Sequence, residues 1–146
     1  MRYLLLLSLS LPLLVGCAGM NDLPATAAEV DFDGEQGHTG WAKYERTTLL
    51  KDTRLPAAME AGERALTFSK FEIRKVDRAG AVVVGEHGAT PYDYNIMAAI
   101  YFRQEGQDVR ARLHVQASRD IGFLGDATER NWTKELEASL KGILNR

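Results

Sequence analysis

The clearest pattern in the sequence is a two-residue period of apolar positions in two neighbouring stretches. Every second residue is apolar in residues 94–102, and the same holds in residues 109–117. The intervening residues 104–108 are polar and include a glycine. Because side chains on a strand point alternately to opposite faces, the pattern predicts an antiparallel hairpin with one apolar and one largely polar face.

Two other stretches show the three- and four-residue spacing of an amphipathic helix. The first stripe consists of Leu55, Ala58, Met59, Gly62, Ala65 and Leu66. Pro56 suits the first turn of this helix, and Asp52 or Thr53 is expected to cap it. The second stripe consists of Trp132, Leu136, Leu140, Ile143 and Leu144. Asp126, followed three residues later by Glu129, is close to a capping box before it.

Further strands are predicted at residues 41–50, 71–74 and 81–84, the last two joined by a turn that ends at Gly80. The element order is therefore β-α-β-β-β-β-α. Both helices need a surface to cover, and the apolar face of the sheet supplies one. The expected fold is an α+β two-layer sandwich, with an antiparallel sheet of about five strands covered on one face by two helices.

The N-terminal residues form a separate region. One cation, Arg2, precedes an apolar run over residues 4–15, which is too short to cross a bilayer as a helix and is typical of a secretory signal. The run ends in Leu14-Val15-Gly16-Cys17. These four residues resemble the lipobox of bacterial lipoproteins, in which small residues precede a cysteine that becomes the new N-terminus.

The lipobox resemblance implies that residues 1–16 are a signal peptide and that Cys17 carries diacylglycerol and an acylated amine. In such proteins an aspartate after the cysteine is associated with retention in the inner membrane. Ala18 stands at that position, which favours the outer membrane with the domain in the periplasm. The alternative is an unmodified, buried thiol. Cys17 is the single cysteine, so it has no intramolecular disulfide partner.

Residues 17–40 are expected to form a flexible tether after the lipidated cysteine. The acidic residues of this stretch are Asp22, Glu29, Asp31, Asp33 and Glu35, and it contains no lysine or arginine. Low apolar content and one-sided charge favour disorder. A single α+β domain is then expected over residues 41–146.

Composition and motifs argue against several functions. The chain has 18 basic and 20 acidic residues, and this near balance argues against a nucleic-acid partner. There is no Gly-x-Ser-x-Gly motif, and the three histidines are too widely spaced to suggest a metal site. Gly122 and Gly125 favour a turn over a phosphate loop, because Asp126 would repel an anion at the following helix. We therefore predict no enzymatic activity, no cofactor and no metal.

A second resemblance covers roughly residues 41–145. The helix, the four strands, the Gly-x-x-Gly-Asp segment at residues 122–126 and the closing amphipathic helix are similar to a family of small bacterial lipoproteins of unknown function. The layout also resembles the helix-grip domains of the lipoprotein subunit of the outer-membrane β-barrel assembly machine. This resemblance implies a fold and does not imply an activity.

Two functions follow as expectations. The first is a non-enzymatic, lipid-anchored envelope lipoprotein whose domain is an interaction or structural module facing the periplasm. The alternative is a carrier that holds a small hydrophobic ligand or lipid between sheet and helices; a connected cavity would favour it.

The polar face of the predicted hairpin suggests where a partner would bind. Its interaction residues are expected to be Tyr101, Arg103, Arg110, Arg112 and His114. Arginine and tyrosine are frequent in protein interfaces, and a basic face would attract acidic partners, for example another envelope protein, or anionic headgroups. The alternative is an ordinary solvated sheet face.

Overall fold

A computed structural model describes residues 23–40, 43–88, 93–120 and 132–146. The described residues contain six strands and two helices, with a 3-10 turn at Ala27–Glu29 before the first strand. The strands are β1 (Gly37–Gly40), β2 (Lys43–Leu50), β3 (Glu72–Asp77), β4 (Val82–His87), β5 (Asp93–Glu105) and β6 (Asp108–Asp120). The helices are α1 (Leu55–Phe68), between β2 and β3, and α2 (Trp132–Leu144), after β6.

All six strands form one antiparallel sheet in the order β1-β2-β6-β5-β4-β3. The predicted α+β layout, with a sheet and two helices, is confirmed. The sheet has one strand more than expected, because the glycine-flanked Gly37–Gly40 pairs with the outer edge of β2. The predicted hairpin is β5–β6, in which Ile100 lies opposite Leu113 and Tyr101 lies opposite Arg112.

The main core lies between one face of the sheet, the inner face, and the two helices. It includes Leu66 from α1, Ile100 and Leu113 from the sheet, and Leu136 and Leu140 from α2, all fully buried. The helix α1 approaches the sheet closely, since a Cβ atom at Gly62 would lie 2.7 Å from the Phe102 ring. The described part of this layer is therefore filled with side chains, as in a closed core.

The start of α1 differs from the prediction. Arg54 occupies the N-cap position without a side-chain hydrogen bond, so neither Asp52 nor Thr53 caps the helix. The backbone N–H of Leu55 donates instead to Oε1 of Gln104, at 2.8 Å, which ties the helix to the β5–β6 hairpin. The predicted cap of the second helix at Asp126, the Gly122–Asp126 segment and the lipobox lie outside the described residues.

Residues 23–40 do not form the flexible tether that the composition predicts. Residues 23–36 lie across the other, outer face of the sheet, and residues 37–40 continue into β1 at its edge. We call residues 23–40 the N-terminal strap. Leu23 and Phe32 are buried there against Val82, Met97 and Tyr101, forming a second apolar core. The amide of Ala27 also donates to the carbonyl of Gly80 at 2.8 Å. The few apolar residues of the strap suffice because the sheet offers apolar partners on both faces.

Candidate functional site

The predicted interaction residues do share one face of the β5–β6 hairpin, but the strap covers that face. The exposed fraction is 0% for Tyr101, 3% for Arg112 and 4% for His114. The side chains of Arg103 and Arg110 remain partly accessible. The prediction of an open interaction face is therefore wrong for three of the five residues, because their partner is the chain's own N-terminal segment.

Arg112 is the main polar anchor of the strap. Its Nη1 donates to the carbonyl of Gly34 at 3.2 Å and to Oγ1 of Thr47 at 2.9 Å. Its Nη2 donates to the carbonyl of Glu35 at 2.6 Å and to Oε2 of Glu45 at 3.0 Å. One buried guanidinium thus joins the strap to β2 and β6, which uses the fixed fork of donors that arginine provides.

Phe32 is the main apolar anchor of the strap. Its side chain is 2% exposed, and the guanidinium carbon of Arg103 lies 4.5 Å from the ring centroid in a cation–π contact. The carbonyl of Phe32 accepts a bond of 3.0 Å from Oγ1 of Thr47. Nearer the start of the strap, the Tyr101 hydroxyl donates to the carbonyl of Pro24 at 2.8 Å. Most of these bonds go to strap carbonyls, so they hold the backbone path of the strap.

His114 lies beside Glu45 under the same cover, with 3.3 Å between Nδ1 and Oε1. Burial lowers the pKa of His114 to about 4, although the carboxylate of Glu45 opposes this shift. Burial raises the pKa of Glu45, but His114, Lys43 and Arg112 lower it more, and the net direction is down. Near pH 7 the pair is therefore a neutral imidazole and a carboxylate. Because His114 has almost no contact with solvent, this arrangement suits a structural role.

The three histidines lie in separate places. His38 stacks on Tyr44 with 4.9 Å between ring centroids, whereas His87 lies 5.1 Å from Trp132. Within the described part of the chain, no group of three or more histidine, aspartate or glutamate side chains is arranged to hold a metal ion.

An open apolar groove between the two helices is the accessible feature best suited to binding. Its volume is about 280 Å³. It is lined by Arg64, Phe68, Ala138, Ser139, Gly142, Ile143 and Arg146. Phe68, in the last turn of α1, is 75% exposed, the largest such fraction among the large hydrophobic side chains that the structure describes. A Cβ atom at Gly142 would meet nothing within 4 Å, which leaves the floor of the groove on α2 open. Sequence periodicity missed this groove because Phe68 lies off the core-facing stripe.

The two arginines of the groove differ from most of the other described arginines. Arg46, Arg74 and Arg78 each form an ion pair with a glutamate. Arg64 and Arg146, both exposed, form no ion pair with any of the described residues. The groove therefore combines an apolar floor with two arginines that have no ion-pair partner within the described part of the chain.

A second hollow has a different character. It has a volume of about 500 Å³ and lies where the end of β2 meets the end of α2. Lys51, Asp52, Lys141 and Asn145 give it a largely polar lining. It lacks the combination of an exposed aromatic ring and an apolar floor, so the groove between the helices is the stronger candidate.

Comparison with known proteins gives information on the fold. No protein-family model matches the sequence, and a search of curated proteins finds no match. The structure is similar to the crystal structure of Ara h 8.0201, with a TM-score of 0.55 and 10% identity, covering 73% of this chain and 97% of that one. This likeness establishes the fold alone, an α+β layout that fits the expected helix-grip arrangement.

Two further likenesses have lower TM-scores. One is to TTHA0849 from Thermus thermophilus, with a TM-score of 0.44 and 11% identity over 70% of this chain and 97% of that one. The other is to the di-domain ARO/CYC BexL from the BE-7585A biosynthetic pathway, with 0.42 and 9% over 74% of this chain and 52% of that one. Among the described residues, no helix is long and apolar enough to cross a membrane.

Proposed function

We propose that the protein is a non-enzymatic, lipid-anchored lipoprotein of the bacterial envelope, held in the outer membrane with its domain in the periplasm. The support for the anchor is the lipobox-like Leu14-Val15-Gly16-Cys17, which places a cysteine directly after an export-type apolar run. Two or more acyl chains on one residue give stable membrane attachment, whereas a single chain gives only marginal binding.

We further propose that the domain is a binding module whose contact site is the groove between α1 and α2. The observation that carries this proposal is the groove itself, where Phe68 stands exposed beside an apolar floor. Exposed apolar patches of this kind often mark sites of interaction. The hairpin face with Tyr101, Arg112 and His114 is covered by the strap and is not available as this contact site.

The second candidate function is a carrier of a small hydrophobic ligand, bound at a different position from the one the sequence predicts. The expected position was between sheet and helices, but the described core there is packed, with Gly62 against Phe102 and Gly85 against Phe71. The groove between α1 and α2, on the solvent-facing side of the helices, offers an apolar surface that is open to such a ligand. This observation favours binding on the helical layer.

The anchor is tested by metabolic labelling with a fatty-acid analogue, followed by membrane fractionation. Wild type should incorporate the label and partition with membranes into detergent, because Cys17 carries the lipid. Cys17→Ser should incorporate none and remain unprocessed or soluble. Ala18→Ser, one residue away, is the matched control and should behave as wild type. Equal labelling and equal fractionation of the wild type and Cys17→Ser would refute the anchor.

A further inference from the structure

We infer that the groove between α1 and α2 binds a medium-chain carboxylate, with its apolar tail along the groove and its carboxylate on Arg64 and Arg146. The inference rests on the proposed function and specifies the ligand class of the same site. Three features of the described residues lead to it: the apolar floor, the charge at the groove and the size of the opening.

The floor provides the contact for an alkyl tail. Phe68 from α1 faces Ala138, Gly142 and Ile143 from α2 across the opening. Phe68 is 75% exposed, so its ring leaves water only when something covers it. A ligand that lies along the groove would bury this ring and the aliphatic floor together, and burial of apolar area is the usual driving force for such binding.

The charge at the groove selects an anion. Arg64 and Arg146 line the groove and have no carboxylate partner among the described residues, in a domain where most other arginines are paired. A guanidinium binds a carboxylate with two parallel hydrogen bonds, which gives both strength and orientation. An amine of the same length would be repelled, and an alcohol would lack the charge.

The size of the groove favours one short tail. A volume of about 280 Å³ lies just below the range of about 300–1,000 Å³ that is common for small-molecule sites. A phospholipid with two long tails would leave most of its apolar surface in water. A single medium-length chain would match the groove better, so decanoate is a suitable probe.

The test is photo-crosslinking on the full-length protein, purified from membranes and reconstituted in phosphatidylcholine nanodiscs. A decanoate analogue with a diazirine near the end of its tail is activated by light, and the labelled peptides are mapped by mass spectrometry. Label should fall on α1 around Phe68 and on the second half of α2. Unlabelled decanoate should compete about tenfold more strongly than decanol, and decylamine should compete more weakly than decanol.

Variants separate the tail from the head group. Phe68→Ala and Gly142→Leu should each abolish groove labelling, the first by removing the ring and the second by filling the floor. Both should keep the melting temperature, since Phe68 is exposed and leucine is a better helix former than glycine. Arg64→Gln and Arg146→Gln together should make decanoate compete no better than decanol. Arg54→Gln, an exposed arginine outside the groove, is the matched control and should change nothing.

Three results would overturn the inference. Groove labelling that persists in folded Gly142→Leu would place the ligand elsewhere. Decanol competing as well as decanoate against wild type would remove the role of the arginines. Crosslinking of Phe68 to a co-purified protein that decanoate does not displace would make the groove a protein contact. Each result can be obtained with a protein that is lipidated normally, so failure here is separate from failure of the anchor.

Discussion

The two faces of the sheet are covered in different ways. On the inner face, α1 and α2 cover side chains such as Ile100, Phe102 and Leu113 over a large apolar core. On the outer face, the strap covers a smaller apolar cluster and, beside it, the buried polar side chains of Arg112 and His114.

The two layers are stabilised in different ways. The inner layer is stabilised by burial of apolar area, which is non-directional, so the loss of side-chain volume at any buried position lowers stability. The outer layer relies on directional bonds from a few side chains to strap carbonyls, above all from Arg112. A buried polar group that loses its hydrogen-bond partner destabilises the fold. The stability of the outer layer should therefore change when a single donor or acceptor is removed or when a buried group is protonated.

The largest effect is expected on the inner face. Leu136→Ala should lower the free energy of unfolding by about 4 kcal/mol, because the side chain is fully buried between helix and sheet and its loss leaves a cavity. Urea denaturation measures the change. Lys134→Gln, on the exposed side of the same helix, is the control and should have little effect. Equal losses for the two variants would mean that α2 covers the sheet with another face.

On the outer face, Arg112→Gln should cost about 3 kcal/mol. The substitution removes the bonds to Gly34 and Glu35 and leaves the Glu45 carboxylate, itself mostly buried, without its guanidinium. Hydrogen exchange should also rise at residues 23–40 before it rises in β5 and β6, since the strap loses its main anchor. An unchanged strap with uniform loss of protection elsewhere would contradict a separate outer layer.

The pH dependence should also come from the outer face. The pKa of His114 is about 4 in the folded chain, whereas an unperturbed histidine, as in the unfolded chain, has a pKa of 6.5. On acidification the imidazole of the unfolded chain is therefore protonated at a higher pH than that of the folded chain. Stability is therefore complete above about pH 6.5 and falls towards pH 4, with a loss of about 2 kcal/mol at pH 5 from this group. Denaturation at pH 7 and pH 5 measures it. His114→Gln should remove this part of the pH dependence, and an identical slope in the variant would refute the assignment.

The smallest effect is expected at Arg110, two residues from Arg112 on the same face. Its ion pairs with Asp33 and Glu105 are partly solvated, and Asp33 is largely exposed. Arg110→Gln should therefore cost less than about 1 kcal/mol, because water screens such pairs. Thermal denaturation of Arg110→Gln and Arg112→Gln, measured in parallel, compares the two losses of stability. A larger loss for Arg110→Gln would reverse our account of which arginine holds the strap.

The regular elements of the fold could be predicted because each depends on a local period. The alternation at residues 94–102 and 109–117 corresponds to β5 and β6, and the stripe from Trp132 to Leu140 is buried on α2. The cap at the start of α1 could not be predicted from the local sequence pattern. Its first amide is satisfied by Gln104, which is distant in sequence, rather than by a capping side chain beside it.

The strap and the candidate groove could not be read in this way, since both depend on contacts between distant segments. Leu23 and Phe32 have no period, and the acidic residues around them are typical of a disordered stretch. One signal was present in β5. Met97 and Tyr101 stand on the supposed polar side while Ile96 and Ile100 stand on the other, which is typical of a strand buried on both faces. Such a strand needs a second cover.

The docked strap also changes how far the domain could move if Cys17 carries the proposed lipid. With Leu23 fixed on the sheet, six residue steps remain between lipid and domain, which reach at most about 20 Å. With the strap released, about 26 steps would remain, and the root-mean-square span would about double. Because accessible volume grows with the cube of that span, docking would raise the effective concentration of the domain near its own membrane by about tenfold.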